Sequence, residues 1–441
     1  MRISLKVTVL VLFVVGPVAV QAQESEIESL RAAVLELRSD YEARIAELER
    51  RLAVAEQNAQ QAGAGQSTPR TSTSGDSAFN PAIGVIFQGQ AWNFNKDPDD
   101  YVVQGYPYGG EAGPVSEGLA IGETELIFDA NVDDKFFASL TAALALEDGE
   151  AVAEIEEAFI EATSLPAGLG AKFGRFFSGI GYLNAKHSHT WDFVDQPLPY
   201  QAFLADQYAD NGIQIRWLAP SELYMEFGGE IFQGSRYPAG GNANSGFGSF
   251  SMFANVGGDI GTESSWLAGI SYLDADVIDR PSGDEDDPLI FNGDSALTSA
   301  QFVWKWAPDG NWKQKNLIFQ TELFWRNEDG DYTLPGGGPL LYDVDQQGWY
   351  VQAVYQPMPR WRFGVRADGL SSDSPGPAFD STLLAEPQDD PRRYSLMADW
   401  SNSEFSRLRL QITRDEARQE NDTQWGVQYI HSIGAHGAHS F

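Results

Sequence analysis

The chain contains five histidines, and all of them fall in two short clusters. The first cluster is the H-x-H pair His187 and His189, which is followed closely by Asp192 and Asp195. In an extended segment the two rings lie on one face, and a nearby aspartate can complete a tetrahedron or orient a ring. Imidazole and carboxylate suit zinc and similar divalent metals. We therefore predict a metal site made by His187, His189 and Asp192; in the alternative interpretation the histidines are polar loop residues facing water.

The second cluster comprises His431, His436 and His439, close to the C-terminus. His436 and His439 are weaker candidates for metal ligands, because a strand that continues to Phe441 places them on opposite faces. The alternative is that these residues only contribute polarity to the rim of a sheet.

The overall composition excludes several classes of protein. The 441 residues include 63 acidic and 29 basic side chains, with a formal charge of -34, so nucleic-acid binding is excluded by repulsion from phosphate. There is no cysteine, which rules out disulfides, thiolate-ligated metal and a thiol nucleophile. The sequence also contains no G-x-S-x-G or H-E-x-x-H motif. With 44 glycines and 54 aromatic residues (26 Phe, 16 Tyr and 12 Trp), the composition favours an all-β protein that is not an enzyme.

The first 22 residues have the features of a secretory signal peptide. Arg2 and Lys6 flank the start of the apolar run Val7 to Val15, and Val20 and Ala22 provide the small residues that signal peptidase recognises. The run is too short for a membrane-spanning helix. We predict export and cleavage after Ala22.

A heptad pattern occupies residues 23–57. Apolar residues recur there at steps of three and four, with a stutter near Tyr41: Ile27, Leu30, Val34, Leu37, Tyr41, Ile45, Leu48, Leu52 and Ala55. The pattern predicts a coiled-coil helix that associates with copies of itself, and the alternative is a single surface helix. Residues 58–78 are rich in Gly, Ser and Thr and form the predicted flexible linker.

Residues 79–441 alternate apolar and polar positions in about sixteen segments of about ten residues each. Short links alternate with long polar ones, which are Asn95 to Gly118, Ser178 to Asp210, Gln233 to Gly246, Asp274 to Ala296, Asn327 to Gln346 and Leu370 to Arg392. A soluble sandwich gives no reason for this alternation, whereas a membrane barrel has tight turns at one end and long loops at the other. The fold class that we predict is an all-β transmembrane antiparallel barrel of about 16 strands, following the N-terminal coiled coil.

If the first strand runs outward, the segment from Ser178 to Asp210 is the third external loop, and we expect it to fold inward and narrow the barrel. It carries His187, His189 and Trp191 together with Asp192 and Asp195. Strand parity predicts further lumen residues in two strips, one acidic (Glu123 and Glu125) and one basic (Arg360, Arg362, Arg366, Arg407 and Arg409). Separated strips would orient polar solutes, and the basic strip could instead guide anions.

Acidic clusters in the predicted outer loops have two interpretations. They concentrate cations at the channel mouth, or they bridge neighbouring lipopolysaccharide through divalent ions. The clusters are Asp97/Asp99/Asp100, Asp284 to Asp287, Glu328/Asp329/Asp331 and Asp389/Asp390.

Three stretches carry a resemblance to a known family: FNPAIGVI (Phe79 to Ile86), GRFFSGIGYLNAKHSHTWDFVDQPLPYQAF (Gly174 to Phe203) and GAHGAHSF (Gly434 to Phe441). Together with the signal peptide, coiled coil and strand array, they resemble coiled-coil-bearing porins of Gram-negative outer membranes, in the neighbourhood of phosphate-selective and siderophore porins. Relatives are often labelled zinc-regulated or TonB-dependent receptors. A coiled coil stands here where TonB-dependent receptors have a globular plug, so the porin interpretation is preferred.

The resemblance implies an outer-membrane porin, with its coiled coil in the periplasm, that takes up small hydrophilic solutes and passes divalent metal such as zinc or a metal chelate. We expect a homotrimer in contact with lipid and lipopolysaccharide, with no resident cofactor other than transported or weakly bound zinc. The alternatives are an envelope-tethering structural barrel, a TonB-dependent-type receptor, and, least favoured, a barrel hydrolase that uses a histidine in the H-x-H stretch.

Overall fold

A computed structural model describes residues 81–98, 100–106, 112–147, 150–240, 246–283 and 288–434. The predicted signal peptide (1–22), coiled coil (23–57) and linker (58–78) lie outside the described residues, as do His436, His439 and the cluster 284–287. Among the described residues, no helix combines the length and the apolar character needed to cross a bilayer.

Seventeen strand segments and one short α-helix make up the regular structure of the described residues. The strands are β1 (Ala82–Asn93), β2 (Gly118–Ile121), β3 (Thr124–Asn131), β4 (Phe136–Glu147), β5 (Glu150–Ala162), β6 (Leu169–Phe177), β7 (Ala209–Leu218), β8 (Tyr224–Phe232), β9 (Ser249–Ile260), β10 (Ser264–Ser282), β11 (Leu289–Trp306), β12 (Asn316–Thr333), β13 (Pro339–Met358), β14 (Trp361–Ser372), β15 (Arg392–Ser403), β16 (Ser406–Asp415) and β17 (Asp422–Gly434). The helix, α1, spans Leu198–Leu204.

The sheet closes on itself as a 16-stranded antiparallel barrel. Both β2 and β3 pair with β1, so these two segments form one barrel strand that is interrupted at residues 122–123. From β3 onward each strand pairs with the next, and β17 returns to β1 over ten residue pairs that run from Gly84↔Gly434 to Asn93↔Trp425. Closure leaves no unpaired edge, which is what a sheet needs in lipid. The structure thus confirms the predicted barrel and strand number.

Alternation along β16 shows how the sequence separates the two faces of the wall. Leu408, Leu410 and Ile412 point outward with 37%, 54% and 47% of their surface exposed, whereas Arg409 and Gln411 are buried on the lumen side. Exposed apolar residues of the same kind occur on the other strands. An apolar outer face around a closed sheet is the pattern of a transmembrane barrel.

Aromatic side chains gather on the outer face near the short turns. Trp361 follows the turn before β14 and contacts Trp400 at the end of β15, with ring centroids 6.5 Å apart. Trp217 and Phe227 stack in the same manner at 5.7 Å beside the turn between β7 and β8. Such rings suit the membrane–water interface because one part of the ring is apolar and the other is polar.

Two of the predicted long loops are strands in the structure. The segments from Asp274 to Ala296 and from Asn327 to Gln346 largely extend the hairpins β10–β11 and β12–β13, whose strands have 18 to 20 residues each. The extensions hold together because they have a small apolar core of their own, which includes Phe291, Tyr332 and Tyr342. The prediction of loops was therefore wrong here, since polar residues in these strands obscured the alternation.

Glu328, which the sequence assigned to an acidic outer loop, is buried in one of these hairpins. Its carboxylate pairs with Arg280 (Nη1 to Oε1 2.8 Å) and lies 3.6 Å from Arg326. This glutamate stabilises the hairpins and does not present charge to incoming solute.

Candidate functional site

The connection between β6 and β7, residues 178–208, enters the barrel and crosses its lumen; we name it L3. Because β1 starts at the end with the short turns, L3 is the third connection at the opposite end, as predicted. Its backbone and side chains reach the wall on many sides: Ser188 accepts a hydrogen bond from Gln88 of β1, and Gly181 donates one to Ser271 of β10. Val194 donates to Gln411 of β16. Contacts this widely spread require L3 to lie inside the barrel.

The centre of L3 is apolar, which the sequence analysis did not anticipate. All seven residues of α1 are buried, and the helix ends at Ala205, whose backbone is left-handed (φ 49°). Tyr200 and Phe203 pack against Phe324 and Tyr350 of the wall. This part of the lumen is filled by packed side chains.

A buried carboxylate of β12 fixes this apolar part. Glu322 accepts hydrogen bonds from the Tyr200 hydroxyl (2.9 Å to Oε1), the Tyr182 backbone N–H (2.9 Å to Oε2) and the Tyr350 hydroxyl. The Tyr200 hydroxyl in turn accepts from the Leu183 N–H at 2.9 Å. Strand parity predicts that Glu322 lies on the inner face of the barrel. It does not predict the residues of L3 with which Glu322 forms hydrogen bonds.

Five arginines on the inner faces of β14 to β16 form what we call the basic wall: Arg362, Arg366, Arg393, Arg407 and Arg409. Four of the five predicted basic residues lie on the inner face of the wall. Arg360 is the exception, because it lies exposed in the turn before β14 with φ 74°. Strand alternation cannot show that the strand has already ended at this position.

Aspartates of L3 and of the wall neutralise these arginines. Asp195 pairs with Arg366 (Nη2 to Oδ2 2.9 Å) and Arg393 (Nη1 to Oδ2 3.1 Å), and both guanidinium groups also contact Asp368. Burial works against ionisation of Asp195, but the two arginines outweigh it and lower its pKa to about 2. Buried pairs of this kind are strongly destabilised when one partner is removed. The basic wall therefore serves to anchor L3.

The remaining arginines hold the histidine segment of L3. Arg409 pairs with Asp399 (Nε to Oδ1 2.9 Å) and donates to the Trp191 carbonyl at 2.6 Å. Arg407 donates to the His189 carbonyl. Asp192 forms its ion pair with Arg362, on the side of the lumen opposite the carboxylates that contact His187. The prediction that Asp192 joins the histidines at a metal is therefore not supported by its position.

Glutamates on and next to β3 and β5 form what we call the acidic wall: Glu123, Glu125, Glu154, Glu156 and Glu157. His189 Nδ1 donates to Glu125 Oε1 at 2.7 Å, and His187 Nε2 donates to Glu157 Oε2 at 3.1 Å. The two imidazole rings stack with centroids 5.9 Å apart. The structure thus brings the predicted residues His187, His189 and Glu125 together.

The sequence analysis missed Glu156 and Glu157, and a β-bulge explains why. In the pairing of β4 with β5, Thr141 faces Glu157 and Ala142 faces Ile155, so Glu156 is the extra residue. A bulge shifts the alternation by one residue, and both glutamates consequently approach His187. A signal was present, because the outward residues Ile155 and Ile160 are five positions apart, an odd spacing that an unbroken strand does not allow.

Carboxylates determine the protonation of His187. Burial disfavours the charged imidazolium, but the nearby carboxylates of Glu156 and Glu157 outweigh it and raise the pKa of His187 well above its usual value. This corner of the lumen stabilises positive charge.

Two polar cavities lie on either side of L3. One has a volume of about 510 Å³ and is lined by Glu123, Glu154 and Glu156 of the acidic wall. The other has a volume of about 800 Å³ and includes Asp192 and Lys305. Trp191 lines both cavities.

No protein-family model matches the chain. An uncharacterized protein of Aquifex aeolicus (strain VF5) is 29% identical over 395 residues, which cover 82% of this chain and 80% of the relative. Among solved structures, a loop L8 deletion mutant of OmpT from Vibrio cholerae matches with a TM-score of 0.49 and 9% identity, covering 80% of this chain and 99% of that one. An anion-selective porin from Comamonas acidovorans matches at 0.48 and 11% identity, with coverage of 80% and 99%. The outer-membrane channel DcaP of Acinetobacter baumannii matches at 0.48 and 12% identity, with coverage of 80% and 97%.

Proposed function

We propose that the protein is a porin of the Gram-negative outer membrane that passes small hydrophilic solutes, with transport and not catalysis as its activity. The observation that supports this most directly is the lumen: a closed 16-stranded barrel is crossed by its third loop, which leaves polar cavities on both sides. A filled centre with polar flanks is a selective arrangement, because solute must pass close to charged groups.

Cations are the solutes that we propose for selective passage, with divalent metal such as zinc or its chelate as the specific cargo. The arginines of the basic wall are neutralised by aspartates, whereas the cavity of about 510 Å³ is lined by glutamates. Arg175 and Arg236 line the same cavity and neutralise Glu154, but Glu156 has no Lys or Arg in an ion pair among the described residues, and a carboxylate of this kind raises the local concentration of cations. The zinc proposal draws on the acidic residues of this cavity and on the resemblance given above.

We also propose a homotrimer in the outer membrane, in contact with lipid and lipopolysaccharide, with residues 23–57 forming a periplasmic coiled coil. The heptad pattern of that segment supports self-association. The apolar outer face of the barrel supports contact with lipid.

Single-channel recording in planar bilayers tests the proposal. We expect stepwise conductance with a reversal potential that favours cations in a salt gradient, and a reduction of current by zinc that is lost in the His187→Ala/His189→Ala variant. Trp191→Ala should increase the conductance, because it removes an indole that lines both cavities.

Trp400→Ala is the matched control, because this tryptophan lies on the outer face of β15. It should leave conductance unchanged. A folded barrel that produces no current steps would contradict the porin proposal and would favour an anchoring role for the barrel. Equal effects of Trp191→Ala and Trp400→Ala would contradict the position of the passage.

A further inference from the structure

Three buried atoms from the acidic wall and L3 converge without hydrogen bonds. They are Glu125 Oε2, Glu156 Oε2 and His187 Nδ1, and none of them has a hydrogen-bond partner among the described residues. Glu125 is fully buried and Glu156 is 9% exposed. Since a buried polar atom without a partner is costly, this convergence requires an explanation.

The spacing of these atoms is that of ligands around one metal ion. His187 Nδ1 lies 3.6 Å from Glu125 Oε2 and 3.5 Å from Glu156 Oε2, and all three atoms lie within 4.8 Å of one another. Direct hydrogen bonds are shorter, at about 2.7–3.2 Å. A tetrahedral ion with bonds of about 2.0–2.2 Å holds its ligand atoms about 3.3–3.6 Å apart. Both distances from His187 Nδ1 fall in the second range.

The other atoms of the three side chains are held by partners that orient them. His187 Nε2 donates to Glu157 at 3.1 Å, which directs the lone pair of Nδ1 toward the two free carboxylate oxygens. Glu125 Oε1 accepts from His189 Nδ1 at 2.7 Å, which fixes the direction of Oε2. A carboxylate behind a ligating imidazole is a recurring arrangement in zinc sites.

Charge balance also calls for a cation at this position. Within the described part of the chain, no lysine or arginine forms an ion pair with Glu125 or Glu156. Among the described residues, the ion-pair partners of these two buried carboxylates are imidazoles, and a metal ion or a proton is needed to offset the carboxylates' repulsion. The cavity of about 510 Å³, lined by Glu123 and Glu156, provides access and space for a water ligand.

We propose that Glu125, Glu156 and His187 bind one divalent metal ion that fastens L3 to the acidic wall. Its one nitrogen and two oxygen ligands suit zinc or a similar transition metal better than calcium or magnesium, which prefer oxygen alone. The site goes beyond the proposed transport function, because the ion is a resident link between loop and wall and not the cargo. Glu157 and His189 are positioning residues for it.

Zinc binding to the purified full chain in detergent tests the proposal. The protein is stripped with EDTA, and folding is checked by the heat-dependent shift of its mobility on a gel. Zinc is then titrated in competition with a chromogenic chelator, which excludes weak binding by the many exposed carboxylates. We expect one tight site per protomer, absent in Glu156→Gln and in His187→Ala, and weakened about 10–100-fold in Glu157→Gln.

The chain offers a matched control on the same strand. Glu154 lines the same cavity but pairs with Arg175 and Arg236 instead of His187, so Glu154→Gln should keep the tight site. The double variant His436→Ala/His439→Ala should keep it as well. Tight binding that survives Glu156→Gln, or that disappears only with the terminal histidines, would overturn the proposal, as would the absence of a tight site in the folded wild type.

A second experiment measures whether zinc holds L3 against the acidic wall. Zinc should slow amide hydrogen exchange in residues 187–191 of the wild type and should have no effect there in Glu156→Gln. Neither measurement depends on conductance. A protein that conducts without binding zinc would overturn this site alone, and one that binds zinc without conducting would overturn only the porin proposal.

Discussion

On the basic wall every arginine has an aspartate within ion-pair distance, whereas on the acidic wall two glutamates direct an oxygen at His187 from 3.5 and 3.6 Å. On the first side L3 supplies Asp192 and Asp195 as counter-charges, and the wall strands supply Asp368 and Asp399. On the second side L3 supplies two imidazoles, which are cationic only when protonated.

This difference shows that the charged residues of the barrel wall do not by themselves determine the electrostatic potential in the lumen, because residues of L3 also contribute to it. In the sequence the arginines suggest a path for anions, but aspartates of L3 and of the wall strands neutralise them. Of the glutamates that line the cavity, Glu154 is paired with Arg175 and Arg236, whereas Glu156 faces His187. The two walls therefore attach the same loop by different chemistry: ion pairs on one side and, as we propose, a shared metal ion on the other.

The largest effect should come from removing the aspartate that holds two arginines. Asp195→Ala leaves Arg366 and Arg393 with Asp368 alone, and the cost should be about 3 kcal/mol, at the low end for breaking a buried pair. That cost corresponds to about a hundred-fold larger population of undocked L3. Limited proteolysis of L3 in the folded barrel measures it, with faster cleavage expected.

Asp389→Ala is the control, since it makes the same substitution at an exposed position in the connection between β14 and β15. Cleavage of L3 should then match the wild type. If Asp195→Ala is cleaved no faster than Asp389→Ala, the basic wall does not anchor L3 and the comparison between the walls fails.

A smaller effect should follow from acid. The pKa of Asp195 is lowered to about 2, compared with about 3.9 for an unperturbed aspartate. A lowered pKa stabilises the docked loop above the unperturbed value, and this contribution is lost as the pH falls through the lowered one. L3 should stay docked above about pH 4 and loosen between about pH 4 and pH 2, by about 2 kcal/mol.

Current fluctuations of single channels, recorded from pH 6 to pH 2, measure this loosening. Asp195→Ala should show the fluctuations already at pH 6 and should change little with acid. A wild-type channel that loosens first near neutral pH would assign the anchoring to other groups and not to Asp195.

The sequence predicted the parts of this arrangement that depend on local alternation. Arg362, Arg366, Arg407 and Arg409 reach the lumen because each sits on a regular strand with apolar neighbours outside. The position of L3 as the third connection follows from counting strands. His187 stood out because histidine is rare in this chain.

The other features of the site could not be predicted from the alternation of apolar and polar residues. The bulge at Glu156 reverses the parity of β5, and Arg360 lies one residue beyond the regular strand. Pairings such as Asp195 with Arg393 join residues 198 positions apart in sequence, and they arise only when L3 folds inward. The predicted ligand Asp192 was wrongly grouped with the histidines for the same reason, since proximity in sequence did not indicate the opposite wall.

The smallest effect on stability should come from breaking an ion pair outside the lumen. This pair shows how much an exposed ion pair contributes compared with the buried pairs of the basic wall. Lys96 and Glu420 pair on the exposed surface, and the ammonium group lowers the pKa of Glu420. Water and salt screen such pairs, and holding two long side chains together opposes the gain. Lys96→Ala should therefore leave both the melting temperature and the cleavage rate of L3 at wild-type values, under conditions in which Asp195→Ala changes the cleavage rate. A change in L3 cleavage as large as that of Asp195→Ala would mean that burial does not distinguish the two kinds of ion pair.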